Sequence, residues 1–367
     1  MADLIASSRF SRRRVLTALA AAAAALGVAV PMHARAEDDK GSAPAKAEVI
    51  EITARPIAHF ERGRPDVKRF GDLEFRGGLV LTSPSKDFGG WSDLIVEADG
   101  NSLFAVSDVG AWLAADIKYD GTRPAGLTNA RIGPMLTVKG RPLEDKREGD
   151  AESLALVEGN LTHGSVVIGF ERLHRLGRFE IRDRELQAPT GYMKMPPEAR
   201  RMSANQGLEG IAVLRAGPLK GSIVGFAERF TRGSGYHTGW IWTGGEPKSF
   251  QLRDIDGFDL TGAAGLPDGG LLVLERRFRW TEGVKMRIRQ LAAADIKPGA
   301  RLDGRVLIQA DSGFESDNME GIAVHRGRGG ETIITLMSDD NFNSLLQRNL
   351  LLQFTLLGNK AENASRP

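Results

Sequence analysis

One ten-residue segment occurs five times along the chain, and this repeat limits the folds that the chain can adopt. The copies align without a gap and begin at residues 91, 151, 208, 260 and 319: "WSDLIVEADG", "AESLALVEGN", "LEGIAVLRAG", "LTGAAGLPDG" and "MEGIAVHRGR". Their second positions are separated by 60, 57, 52 and 59 residues. A period of this length indicates a fold built from repeated supersecondary units.

Each copy is followed by further short strand patterns. A turn rich in Gly, Asn or Asp leads to a second apolar run in every unit, and a third run comes after it. Short apolar or alternating runs bounded by turn residues are typical of antiparallel meanders. We therefore predict an all-β fold, a β-propeller of five or six blades built from antiparallel four-stranded meanders.

Strand patterns at both ends of the repeat predict how the propeller closes. The last unit ends near residue 358 after three runs, whereas two additional runs, at 48–54 and 73–83, precede the first unit. If one of them completes the last blade, strands from the two chain ends pair and no open sheet edge remains there. Residues 48–90 leave open whether part of a sixth blade is present.

The first 36 residues have the pattern of an export signal. Three consecutive arginines at 12–14 precede an apolar run at 15–30, and "ARA" at 34–36 is a small-residue cleavage motif. The arginines match the twin-arginine type of leader. The apolar run has 16 residues, fewer than the roughly 20 that a membrane-spanning helix needs, which favours cleavage over a membrane anchor.

The predicted organisation has four parts: a twin-arginine-type signal peptide at 1–36, a flexible linker at 37–47, a propeller domain at 48–358 and a disordered tail at 359–367. This organisation predicts a bacterial protein of the periplasm or the medium, with no membrane contact after the leader is removed. The leader carries five basic residues and one acidic residue, so its removal changes the net charge from +2 to −2. That balance argues against a nucleic-acid partner. Cysteine is absent, which excludes disulfides and thiol chemistry.

The repeat also places a polar side chain at one equivalent position in every unit. The first strand of a propeller blade lines the central channel, so the second positions of the five copies form a ring at one mouth of it. Three positions are glutamates and two carry hydroxyl groups: Ser92, Glu152, Glu209, Thr261 and Glu320. Crowded carboxylates repel one another unless a cation neutralises them, and a hard cation such as Ca²⁺ prefers oxygen ligands. Glu152, Glu209 and Glu320 are therefore candidate calcium ligands.

A structural interpretation of the same glutamates stays open. A carboxylate at each strand start also suits hydrogen bonds from loop N–H groups or an ion pair with a neighbouring blade. In that case the glutamate recurs because the blade recurs.

A second set of acids ends the second strand of each unit: Asp108, Glu171, Glu228, Glu275 and Asp339. Asp108 and Asp339 are further candidate metal ligands. An arginine follows three of these acids, at Arg172, Arg229 and Arg276. Ion pairs between blades are the favoured role for these arginines, and binding of an anionic substrate is the alternative, because guanidinium groups hold phosphate in a bidentate way. His237, in a glycine-rich segment predicted to be a loop, is a further candidate substrate contact.

Five segments of the chain match a known family: "FGGWSDL" at 88–94, "GLEGIAVL" at 207–214, "LLVLERRF" at 271–278, "NMEGIAV" at 318–324 and "SDDNFNSLLQRNLLLQF" at 338–354. In these segments the chain resembles the bacterial phytase-like family described as having esterase-like activity of phytase. The resemblance covers nearly all of the predicted mature chain. It implies a propeller, related in name and shape to calcium-dependent propeller phytases, without fixing a reaction.

Three functional hypotheses follow. The chain has no G-x-S-x-G elbow, H-E-x-x-H motif or phosphate-binding P-loop. The first hypothesis is therefore a hydrolase of phosphate or other esters that is assisted by a cation and acts on a small anionic substrate. The second is a non-catalytic propeller that binds a ligand or a protein at the channel mouth, and the third is a lactonase-like esterase.

Overall fold

Five β-sheets stand around a central channel and form a five-bladed β-propeller. The computed structural model describes residues 43–143, 145–230 and 233–358. It confirms the predicted all-β class and reduces the two blade numbers to five. The predicted leader, the first residues of the predicted linker and the predicted tail from residue 359 lie outside the described residues and stay predictions.

Four strands precede the first repeat. They are β1 (Glu48–Val49), β2 (Thr53–Ile57), β3 (Arg69–Phe70) and β4 (Leu73–Thr82). β1 pairs with the outer strand of the first blade, whereas β2, β3 and β4 belong to the last blade. The two predicted N-terminal runs therefore contribute to both blades that meet at the closure.

Blades 1 and 2 are antiparallel meanders that run from the channel outward. The strands of blade 1 are β5 (Trp91–Val96), β6 (Ser102–Ser107), β7 (Ala111–Asp120) and β8 (Arg123–Pro134). The strands of blade 2 are β9 (Ala151–Gly159), β10 (His163–Phe170), β11 (Arg175–Arg182) and β12 (Glu185–Leu186), with β13 (Gly191–Tyr192) also paired to β11.

The chain of blade 4 contributes one short strand to blade 3. Blade 3 contains β14 (Leu208–Val213), β15 (Ile223–Ala227), β16 (Tyr236–Trp242) and β17 (Lys248–Arg253). Blade 4 contains β18 (Asp259–Gly265), β19 (Leu271–Arg279) and β20 (Gly283–Leu291). The chain then returns to blade 3 as β21 (Arg301–Leu302), which pairs in parallel with β17, before β22 (Arg305–Ala310) completes blade 4.

Blade 5 closes the propeller as the sequence predicts. Its inner strands are β23 (Met319–Arg326), β24 (Thr332–Ser338) and β25 (Asn349–Leu356). β4 pairs antiparallel with β25, and β2 borders β4 on the outside. Strands from both ends of the described chain thus share one sheet, so β25 is not left as an exposed edge strand.

Within residues 43–143, 145–230 and 233–358, helical structure is limited to two short segments. α1 (Lys146–Gly149) lies between blades 1 and 2, and a 3₁₀ helix (Pro197–Arg201) lies between blades 2 and 3. Asp145 caps α1, because its side chain accepts a hydrogen bond from the Glu148 N–H. Within the described residues no helix is long and apolar enough to cross a membrane.

Apolar side chains fill the spaces between successive blades. Five buried clusters lie between adjacent blades, including one between blades 5 and 1. In the cluster between blades 1 and 2, Phe104 stacks on Trp112 with ring centroids 5.7 Å apart. The innermost strands are covered on both faces, which explains why they read as nearly continuous apolar runs.

Candidate functional site

Each of the five predicted ring residues lies in a β-bulge near the start of an innermost strand. The pairing register skips one residue between the first and third positions of the repeat, as between Leu208 and Gly210 in blade 3. The same skip occurs in the other four blades. The skipped residues are Ser92, Glu152, Glu209, Thr261 and Glu320. A bulge re-aims a side chain out of the regular alternation, and it is common next to binding sites.

The three ring glutamates come close enough to affect one another. Burial, followed by repulsion from Glu209, raises the pKa of Glu152 well above its usual range. Burial also raises the pKa of Glu209, with repulsion from Glu320 among the further causes. For Glu320, burial outweighs the opposing effect of Arg276 and raises the pKa to about 7. The structure therefore brings the ring glutamates to one mouth of the channel, which we call the acidic mouth.

The two neutral ring residues are tied to the backbone. The Thr261 hydroxyl donates to the Met319 carbonyl of the next blade at 3.0 Å, which links blades 4 and 5. The Ser92 hydroxyl lies 3.5 Å from the Gly90 carbonyl within its own blade. Both side chains are buried, and their oxygens belong to the same ring as the glutamates.

A second ring of side chains surrounds the first. In four blades one residue directly follows the second strand, and its backbone N–H donates to a carbonyl oxygen near the ring. The acceptor carbonyl belongs to the residue two positions before the ring residue. In blade 2, for example, the Glu171 N–H donates to the Asp150 carbonyl at 2.8 Å. These four residues are Asp108, Glu171, Glu228 and Asp339. Burial, followed by repulsion from Asp150, raises the pKa of Glu171 to about 7, and burial with repulsion from Asp108 raises that of Asp339.

In blade 4 the second ring holds Arg276 and not the predicted Glu275. Arg276 pairs opposite Asp259, which is the relation that the other four residues have in their blades. Glu275 is fully buried on the other face of β19, where it binds Arg287 at 2.7 Å and also Arg289. The prediction is wrong for blade 4 because Glu275 pairs with Leu260, one residue before the equivalent position, which Arg276 occupies.

Cationic side chains connect the acids of the acidic mouth. Arg172 binds Asp150 at 2.8 Å, and Arg229 binds Asp259 of the next blade. Arg276 binds the Asn318 side chain and lies 3.3 Å from Glu320, both in blade 5. The predicted ion pairs between blades are therefore present for Arg229 and Arg276, whereas Arg172 pairs within blade 2.

Lys146 and Asp150 belong to the acidic mouth, although the sequence analysis did not select them. Lys146 projects from α1 and binds Asp108 at 2.6 Å and Asp150 at 2.7 Å. Burial alone would lower the pKa of Lys146, but these two carboxylates raise it. Asp150 is two positions before Glu152, so aligning the repeats two residues further upstream would have found it. Lys146 lies between the repeats, where alignment gives no signal.

One group of carboxylates has the spacing of a metal site. Within the described parts of the chain, Asp150, Glu152 and Glu171 are the only three such groups whose ligand atoms all lie within 4.8 Å of one another. Two ligands that bind one Ca²⁺ at its usual distances lie no more than about 5 Å apart. Of the predicted metal ligands, this set contains Glu152 and omits Glu209, Glu320, Asp108 and Asp339.

His237 lies in a strand and not in the predicted loop. It belongs to β16, its side chain is only 1% exposed, and its Nδ1 is 3.2 Å from the Glu228 carbonyl oxygen. Burial lowers its pKa, so the imidazole is neutral at neutral pH. The glycines before His237 predict a loop, but cross-strand pairing extends the strand to Tyr236.

The solved structures with similar folds are distant. The chain shares 9% identity and a TM-score of 0.37 with a U3-55K structure, over 78% of this chain and 86% of that one. With the RRP9 WD40 repeats it shares 9% identity and a TM-score of 0.34, over 87% of this chain and 86% of that one. For the GH62 α-L-arabinofuranosidase catalytic domain of Coprinopsis cinerea the values are 12% and 0.41, over 79% and 99%. Similarity at this level has no bearing on function.

Family membership comes from the sequence itself. No curated protein gives a significant sequence match. The family model called phytase-like, with the description esterase-like activity of phytase, matches residues 86–342, which contain all five repeats and the acidic mouth. The match spans well over half of the chain, and the protein therefore belongs to the phytase-like family.

Proposed function

We propose that the protein is an exported hydrolase of phosphate or other esters, assisted by Ca²⁺ and acting at the acidic mouth. The observation that carries this proposal is the set of carboxylates at Asp150, Glu152 and Glu171, with ligand atoms within 4.8 Å of one another. Oxygen donors at this spacing suit a hard divalent cation. The predicted twin-arginine leader supports export, and the periplasm or the medium is the proposed location.

The residues of the acidic mouth fit a cation in two further respects. Burial and mutual repulsion raise the pKa values of Glu152 and Glu209, so ionising both is costly unless a positive charge is added. The Oδ1 atom of Asp108 is buried and accepts no hydrogen bond from the residues that the structure describes. A buried carboxylate oxygen without a donor is satisfied when a metal ion binds it.

Bound calcium would polarise a phosphoryl or acyl oxygen and lower the pKa of a water molecule. The protein would hold and orient the substrate. Arg172, Arg229 and Arg276 border the carboxylates and offer guanidinium groups to an anionic substrate. Such a substrate has to compete with the carboxylates that already pair with these arginines.

That competition favours a second candidate function, a propeller that binds a ligand at the acidic mouth without catalysis. Arg172 and Arg229 are held by aspartates, and Arg276 is held by Asn318 and Glu320. In this case the ion pairs serve mainly to fix neighbouring blades. A lactonase-like activity is a third candidate, since the same cation would polarise a lactone carbonyl.

Turnover measurements separate these candidates. Purified protein with about millimolar Ca²⁺, the range of weak extracellular sites, would be assayed on phytate, p-nitrophenyl phosphate, p-nitrophenyl acetate and sugar lactones. We expect calcium-dependent hydrolysis of a phosphate or carboxylic ester, and a loss of at least about 100-fold in Glu152→Gln, as for removal of a group central to catalysis. Glu158→Gln, an exposed change further along the same strand, is the matched control.

The result decides between the three functions. Hydrolysis of lactones alone would identify the lactonase. Calcium binding without turnover of any substrate would favour the non-catalytic propeller. Turnover that Glu152→Gln leaves unchanged would contradict a role for these carboxylates.

A further inference from the structure

The channel has a second opening, at the ends of the innermost strands that lie away from the acidic mouth. A cavity of about 560 Å³ occupies this end, and all five blades line it. Aliphatic side chains line its inner part, including Leu94, Leu154, Leu156, Ile211, Val213 and Ile322, whereas polar side chains line its rim. This volume and the combination of an apolar interior with a polar rim suit a small organic molecule.

Close packing of the inner strands separates this cavity from the acidic mouth. A Cβ atom placed on Gly262 would lie 2.6 Å from the Glu320 carbonyl oxygen, so the strands of blades 4 and 5 are in direct backbone contact there. In the same layer the Asp93 carboxylate accepts hydrogen bonds from the N–H groups of Leu94 and Leu154, both at 2.8 Å. The cavity is therefore a site distinct from the carboxylate rings.

The acidic side chains at the rim of the cavity are already satisfied. Glu97 accepts hydrogen bonds from the N–H groups of Leu161 at 2.7 Å and Ala98 at 3.3 Å. Glu331 forms an ion pair with Arg76 at 2.7 Å, and its pKa is lowered. His325 also faces the cavity, but burial lowers its pKa to about 4, so the imidazole is neutral at neutral pH.

The basic side chains at the rim lack such partners. Arg215 and Arg326 line the cavity, and neither meets a carboxylate within ion-pair distance among the described residues. The rim thus combines satisfied acids with two unpaired guanidinium groups. An anion bound at the rim would supply the ion-pair partner that these two guanidinium groups lack.

Arg215 lies across the cavity entrance. Its guanidinium donates to the Leu156 carbonyl of blade 2 at 3.1 Å, while a Cβ atom placed on Gly265 of blade 4 would be 3.3 Å from its Cγ. The side chain therefore extends from blade 3 along both neighbouring blades. The side chain is exposed at this entrance, so its guanidinium is accessible to an anionic partner.

We propose that this cavity binds a small amphipathic anion. The apolar body of the ligand fills the space between the inner strands, and its carboxylate or sulfonate contacts Arg215 and Arg326 at the rim. The cavity interior is expected to bind the apolar body of the ligand, and the arginines at the rim are expected to bind its anionic group.

Two matched probes test this proposal by titration calorimetry. 1-Naphthylacetate carries the anion, and 1-naphthylacetamide has the same ring without the charge. We expect the acetate to bind with a dissociation constant on the order of 1 mM or tighter, consistent with a ligand of this size. We expect the amide to bind about ten-fold more weakly, because it lacks a charge-assisted hydrogen bond.

Variants assign the two parts of the site. Arg215→Gln should weaken acetate binding about ten-fold and leave amide binding unchanged. Val324→Trp, on the cavity wall, should abolish binding of both probes by filling the space. Arg328→Gln is the matched control, because Arg328 lies over the Tyr119 ring outside the cavity and should leave both affinities unchanged.

Two controls keep the result independent of folding and of the proposed function. Unfolding midpoints would show that each variant is folded, and Arg215→Gln affects an exposed residue, so it stays informative if Val324→Trp misfolds. Acetate affinity should not change with Ca²⁺ or in Glu209→Gln. The proposal is overturned if the acetate does not bind, if the amide binds as tightly, or if Arg215→Gln leaves the acetate affinity unchanged.

Discussion

The two ends of the channel are built from the same five strands and differ in charge, burial and shape. The acidic mouth crowds carboxylates whose pKa values burial raises, and it balances them with Lys146, Arg172, Arg229 and Arg276. The opposite end is an aliphatic cavity whose rim acids are satisfied and whose arginines are not. One repeated strand thus supplies two chemically opposite channel ends, because its second residue is polar and bulged and its later residues are mostly aliphatic.

The strongest way to sharpen this contrast is the pH dependence of stability without calcium. The pKa values of Glu171 and Glu320 rise to about 7 in the folded protein, from the usual value of 4.5. Between these values the folded state binds more protons than the unfolded state, so the free energy of unfolding falls as pH rises. The full loss is reached above about pH 7, and it amounts to about 3 kcal/mol for each group.

Denaturant unfolding in chelator at pH 5 and pH 8 measures this loss. Saturating Ca²⁺ should restore stability most at pH 8, because the cation needs the ionised carboxylates. A free energy of unfolding that stays constant or rises between pH 5 and pH 8 in chelator would show that burial and repulsion do not raise the pKa values of these carboxylates.

A single substitution should disturb the packed inner strands that separate the acidic mouth from the cavity. Gly262→Ala adds a Cβ atom 2.6 Å from the Glu320 carbonyl oxygen, so the inner strands of blades 4 and 5 must move apart. We expect a loss of about 2 kcal/mol in unfolding free energy, as for an overpacked core. Gly126→Ala, where an added Cβ meets no atom within 4 Å, is the control, with a change within about 0.5 kcal/mol. Equal stability of the two variants would mean that the strands are not in tight contact.

The smallest expected change in unfolding free energy comes from replacing one arginine at each end of the channel. Arg276 pairs with Asn318 and Glu320, and it is the residue of the second ring that carries positive charge. Arg276→Gln should cost about 1 kcal/mol of unfolding free energy at pH 7, because the pair is partly exposed and its loss leaves Glu320 less compensated. Arg326→Gln, which breaks no ion pair, should change it by less than about 0.5 kcal/mol. A larger loss from Arg326→Gln would show that this arginine has a structural role.

The sequence predicts the propeller well because the repeat is a property of the backbone pattern. The five segments give the blades, and the extra N-terminal runs give the closure with β4. The ring residues follow from the same alignment, since equivalent positions in equivalent strands reach the same end of the channel.

Three features of the channel ends depend on three-dimensional geometry that the amino-acid sequence does not show. The pairing register of β18 and β19 places Arg276, and not the preceding acid Glu275, opposite Asp259 and so in the second ring. Lys146 reaches Asp108 and Asp150 from a short helix outside the repeat. The cavity arises where residues from all five blades converge, and its aliphatic residues read in the sequence only as core.

Calcium binding tests the central claim most directly. A calorimetric titration of the chelator-stripped protein at pH 8 would be repeated with Glu152→Gln and with Glu158→Gln. The carboxylate group of Asp150, Glu152 and Glu171 predicts binding that Glu152→Gln loses and Glu158→Gln keeps. No binding heat up to about the millimolar range of weak extracellular sites, or equal affinity in all three proteins, would contradict a calcium site at the acidic mouth.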